Sequence, residues 1–117
     1  MGTHKDLIVW QKSISLVKQI YIETKSFPNE ELFGLVSQMR RSSISVPSNI
    51  AEGFGRGSKK ECTHFVYIAL GSASELETQI IISRELEYLP EIVFQTLNAS
   101  LNEIIKMLSA LINSLKQ

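Results

Sequence analysis

The stretch "RRSSISVPSNIAEGFGRGSKKE", Arg40–Glu61, decides how the chain is read. A proline and three glycines suggest a loop, and the clustered arginines, lysines and serines suggest a site. The apolar spacing says otherwise. Leu32, Val36, Met39, Ser43, Val46, Ile50 and Gly53 recur every three or four residues, the period of one helical stripe. Ile44, Pro47, Ala51 and Phe54 form a second stripe on the same segment. The reading is a helix from about residue 29 to Phe54. A kink is expected at Pro47, whose nitrogen has no hydrogen to donate. The break comes at "GRGS", Gly55–Ser58, where Ser58 and Glu61 have the spacing of a capping box.

Three further helices follow on either side. Leu7, Trp10, Ile14, Val17 and Tyr21 predict a helix over 6–24, started by Asp6 and ended before Pro28. Cys62, Val66, Ala69, Ala73, Leu76 and Ile80 predict a third over 58–89. Leu97, Leu101, Ile104, Leu108, Leu111 and Leu115 predict a fourth over 90–115, with Pro90 in its first turn. No segment alternates like a strand. Short connections between long amphipathic helices give an all-α fold, an antiparallel up-down-up-down four-helix bundle filling one domain over 1–117.

Bulk properties narrow the function. Twelve Lys and Arg balance twelve Asp and Glu, which argues against a strongly basic nucleic-acid binder. The one cysteine, Cys62, excludes an internal disulfide and favours a reducing compartment, so the expected location is cytoplasmic. No apolar run reaches the ~20 residues of a membrane span. The start "MGTHKDLIVW" has neither a signal-peptide pattern nor a myristoylation pattern.

No catalytic constellation emerges, so no enzyme, cofactor or metal is expected. Glu61 and His64 have the E-x-x-H spacing of di-iron bundles, but a second such pair is missing. Cys62 lies on the apolar stripe and reads as an inert core thiol. "GFGRG" follows no strand and is not a phosphate loop. The serines of "SSISVPS" fit close helix packing better than hydroxyl chemistry.

Two polar features remain. Arg41, Ser45, Ser48, Glu52 and Arg56 share one side of the second helix, with Asn49 beside them; Ser72, Glu75 and Gln79 form a matching strip on the third. Such a seam sets helix register. With the two helices antiparallel, Glu61 should lie nearer Arg56 than Glu75 does. Arg40, Arg41, Arg56, Lys59 and Lys60 stand against Glu52 alone, a net of +4 over Arg40–Lys60. Five Glu against Arg84 give −4 over Glu75–Glu91. The basic stretch is a candidate contact for RNA or DNA phosphates. The opposed charges and the two-faced second helix also point to self-association.

The stretches "HKDLIVWQKSISLV" and "FPNEELFGLVSQMRRSSISVPSNIAEGFGRGSKKECTHFVYIALGSASELETQ" resemble the four-helix-bundle proteins encoded in intervening sequences of bacterial 23S rRNA genes. "SNIAEGFGR" followed by "GSASELETQ" is the specific part, and the resemblance covers nearly the whole chain. It implies an antiparallel bundle assembled as a ring-like homopentamer. Its pattern falls on Asn49, Glu52, Gly53 and Arg56, then on Glu61, Gly71, Ser72 and Glu75. The accessory proteins of diversity-generating retroelements, which bind nucleic acid and work with a reverse transcriptase, are related to that family. They are strongly basic, and this neutral chain departs from them. The expectation is a non-enzymatic oligomeric scaffold or adaptor; the alternative is a nucleic-acid-binding accessory protein.

Overall fold

The computed structural model describes residues 2–117; Met1, the first residue of the start segment and of the domain read above, lies outside them. Helix α1 spans Ile8–Thr24, α2 Ser37–Phe54, α3 Lys59–Glu85 and α4 Glu91–Lys116. There is no strand among the described residues, so the chain is all-α. The helices pack antiparallel in cyclic order, each against the next and α4 back against α1, in a body of 43 × 24 × 21 Å. The α2–α3 interface is the most extensive.

The stripes meet along the bundle axis. Ile20, Met39, Ile50, Val66, Leu76, Ile80, Ile104 and Leu108 are fully buried. Burying each large aliphatic side chain contributes about 1.5–3 kcal/mol, which makes these positions the main source of stability. Ala69 and Ala73 are also fully buried; their small side chains bring α3 close to its neighbours.

Helix ends depart from the sequence reading in four places. Asp6 does not start α1. It closes a short 3-10 turn over His4–Asp6, where its carboxylate accepts from the Thr3 N–H at 3.1 Å. α1 begins at Ile8 with no side-chain cap. The segment before α2 is not one continuous helix. Asn29–Glu31 is a 3-10 turn and Leu32–Val36 a π-helical turn, separated from regular geometry by Gly34 at φ −113°, ψ −109°. The break thus falls at Gly34, while α2 runs uninterrupted through buried Pro47. Pro90 sits at the N-cap of α4, just outside the helix, and accepts from the Phe94 N–H at 3.0 Å.

α3 stops at Glu85, four residues before Leu89. Its end is a Schellman motif. The Glu87 N–H donates to the Arg84 carbonyl and the Tyr88 N–H to the Ser83 carbonyl, both at 2.9 Å. Glu87 takes the left-handed position at φ 63°, where glycine is the usual residue. Leu89 is still buried, so the apolar spacing runs on past the end of the helix. Beyond the turn, the Tyr88 ring lies 5.3 Å from Phe27, and its hydroxyl donates to Glu31 at 2.9 Å. That hydrogen bond, then desolvation, raises the Tyr88 pKa and pins the α1–α2 connection to the α3–α4 turn.

One 18-residue window of α3 is apolar enough, by length and composition, to cross a bilayer. This corrects the expectation that no segment reaches that range. In the bundle, Val66, Ala69, Ala73, Leu76 and Ile80 of this helix are core residues.

Glu87→Gly removes the side-chain penalty of the left-handed residue, about 1 kcal/mol. Thermal unfolding of the variant should shift upward by a few degrees; an unchanged or lower midpoint would contradict the strain assigned to this turn.

Candidate functional site

The α2–α3 seam is built from small residues because the two helices nearly touch. At Gly53 an added Cβ would sit 3.0 Å from the Cys62 carbonyl oxygen and 3.1 Å from the Phe65 Cβ. Only glycine fits without movement of the α3 backbone. Further along, Ser45 Oγ and Ser72 Oγ are 2.8 Å apart. Asn49 Nδ2 donates to Ser45 Oγ and to the Ser45 carbonyl, each at 2.9 Å. One turn on, buried Ser42 donates to Gln79 Oε1 at 2.6 Å. Ser83 Oγ then donates to the Gln79 carbonyl at 2.8 Å and lies 3.3 Å from Met39 Sδ. No buried side-chain polar atom among the described residues lacks a partner.

The remaining seam residues have other positions. Glu52 and Arg56 pair at 3.1 Å, about half exposed, a contact contributing roughly 0.3–0.5 kcal/mol. The Arg56 guanidinium also lies over the Phe65 ring, 4.9 Å from its centre. Glu61 lines the same groove as Arg56, but the ion partner of Arg56 is Glu52. Ser58 caps α3 by accepting from the Glu61 N–H at 3.1 Å. Gly71 is exposed, and a Cβ there would meet nothing within 4 Å, so packing does not require glycine. Glu75 is exposed on the rim of a groove between α2 and α3.

The basic stretch divides in space. Arg40 and Arg41 lie at the start of α2, while Arg56, Lys59 and Lys60 surround the α2–α3 turn, about 20 Å away along the helix. Arg40 is engaged by α1. Its Nε donates to Thr24 Oγ1 at 3.1 Å, its guanidinium lies 4.5 Å from the centre of the Tyr21 ring, and Nη2 reaches the Tyr21 carbonyl at 3.4 Å. It therefore closes the end of α1, a role that linear sequence hid. One continuous five-residue cationic patch does not form.

Apolar surface remains outside the core. A groove between α1 and α2 is lined by Trp10, Ile14, Val17, Ile44, Pro47 and Ala51. At Ile44 it meets a second groove lined by Tyr21, Leu32 and Phe33. Phe33, beside Gly34, is 93% exposed. On the outer side of α3, Ile68, Ile81, Ile82 and Leu86 are exposed as well.

The family model described as 23S rRNA-intervening sequence protein matches residues 5–110, which include the whole seam. The chain belongs to that family. Among solved structures it is similar to a protein of unknown function from the S23 ribosomal protein family of Bacteroides thetaiotaomicron. The two are 28% identical over 91% of this chain and 96% of that one, with a TM-score of 0.84. No curated protein matches the chain.

In this 23S rRNA-intervening sequence protein the reactive side chains lie apart. Cys62 is buried, and burial pushes its thiol pKa up, away from the reactive thiolate. His64 is exposed, with its ring against Phe65 at 5.2 Å. Among the described residues, no three His, Cys, Asp or Glu side chains come together as metal ligands. Sequence reasoning missed Ser42 and Ser83. The register supplied the signal: once Ser45 faces Ser72, the turn before Ser45 faces the turn after Glu75.

Proposed function

We propose that this protein is a non-enzymatic homo-oligomeric scaffold whose subunits join head to tail. The observation that carries this reading is the pair of unlike apolar faces left outside a complete core. One is the α1–α2 groove with Ile14, Ile44 and Phe33. The other is the outer side of α3 with Ile68, Ile82 and Leu86. A soluble monomer rarely leaves two such surfaces uncovered. When a face binds an unlike face of the next copy, the contact repeats and closes into a ring if the rotation allows. The charges favour the same pairing. Arg40 and Arg41 border the α1–α2 groove, and Glu75 and Glu85 are on α3. Five copies is the ring size implied by the family resemblance.

Light scattering coupled to size exclusion tests this. The expected mass is about five times 13.2 kDa. Phe33→Glu with Ile44→Glu should yield a folded species of smaller mass, because two desolvated charges disrupt the contact. A wild-type monomer at micromolar concentration would refute the reading.

A second reading rests on Arg56, Lys59 and Lys60, which share the α2–α3 turn. Their clustering supports contact with RNA or DNA phosphates by the assembled form. Binding measured by anisotropy should weaken with log salt at a slope of about −2 to −3 per subunit contact. Lys59→Glu with Lys60→Glu should abolish it, and Arg40→Gln should not. No binding at low salt would end this reading.

A further inference from the structure

The groove between α2 and α3 differs in chemistry from the apolar grooves described above. It encloses about 340 Å³ and is lined by Gln38, Arg41, Ser42, Ser45, Ser72 and Glu75, with no aliphatic or aromatic side chain. That volume falls at the lower end of small-ligand pockets. Its rim carries one cation and one anion on different helices. The ion pairs among the described residues are Lys12–Glu103, Arg56–Glu52 and Arg84–Glu85. Arg41 and Glu75 enter none of them, so they face the same space without closing on each other.

The floor is oriented by bonds already described. Asn49 donates to Ser45 Oγ at 2.9 Å, and Ser45 Oγ lies 2.8 Å from Ser72 Oγ. In that pair either hydroxyl can donate, and whichever accepts keeps its own proton for the groove. Ser42 spends its proton on Gln79 at 2.6 Å, which leaves its oxygen as an acceptor. The floor therefore offers both a donor and an acceptor, between a guanidinium and a carboxylate.

We infer that this groove binds a small zwitterion of the free α-amino-acid class, its carboxylate on Arg41 and its ammonium on Glu75. Charge-assisted hydrogen bonds to both ends select a molecule that carries both charges. The seryl hydroxyls complete the remaining donors and acceptors. An anion alone leaves Glu75 as a like charge close by, and a cation alone does the same with Arg41. The site goes beyond the scaffold reading, and neither apolar face supplies its floor.

Calorimetric titration of the wild-type protein with the free L-amino acids tests it. At least one should bind saturably in the millimolar range or tighter. Its amide, lacking the carboxylate, and its N-acetyl derivative, lacking the ammonium, should each bind about tenfold more weakly or not at all. Arg41→Gln and Glu75→Gln should each cause a similar loss, with the helical circular dichroism unchanged. The inference is overturned if no amino acid binds, if either blocked derivative binds as tightly as the parent, or if both variants retain wild-type affinity. Inorganic phosphate binding as tightly as the amino acid would also overturn it, because Arg41 alone would then account for the site.

Discussion

The close approach of α2 and α3 is the constraint on which the bundle depends. At Gly53 an added Cβ would press on the α3 backbone, 3.0 Å from the Cys62 carbonyl oxygen. At their closest approach two such helices need small residues, and serine supplies both small size and hydrogen bonds. The pairs Ser45–Ser72 and Ser42–Gln79 then admit one register. A shift by one turn would strand a buried hydroxyl or amide, at about 1–3 kcal/mol for each group. Met39, Ile50, Val66 and Ile80 are delivered to the core by the same register.

That register also determines what is left outside. With one stripe of α2 facing the core and its serine side against α3, Ile44 and Ala51 are turned toward the α1 groove. α3 likewise commits Val66, Ala69, Ala73, Leu76 and Ile80 inward and leaves Ile68 and Ile82 outside. The two outer surfaces differ in shape and in neighbouring charge. On the proposed reading, this difference makes the assembly directional. The polar groove comes from the same constraint, since serines too small to fill the seam leave room beside it.

Much of the fold was legible in the sequence because a bundle of this kind converts burial directly into a 3-4 spacing. The stripes of α2, α3 and α4 name most of the core. The errors have physical causes. A kink is expected at Pro47, but the irregular geometry falls at Gly34, and a single glycine inside a periodic run gives little local sign of its geometry. The end of α3 was misplaced because Glu87 takes the left-handed position and Leu89 remains buried beyond it. The candidate site was less legible. Arg40 and Arg56 look adjacent in a charge count, yet a helix holds them apart, and Arg40 is bound by Thr24 and Tyr21. Hydrogen bonds such as Ser42 to Gln79 are tertiary, and only the register reveals them.

The central claim is that the two apolar faces bind each other and not themselves. Mixing two variants tests it directly: one with Ile44→Glu and Phe33→Glu on the α1–α2 groove, the other with Ile82→Glu and Leu86→Glu on α3. Each alone should be a folded monomer by analytical ultracentrifugation. Together they should form a one-to-one heterodimer through the single intact contact, and nothing larger. Homodimers of either variant alone would show that like faces pair, and that result would contradict the account.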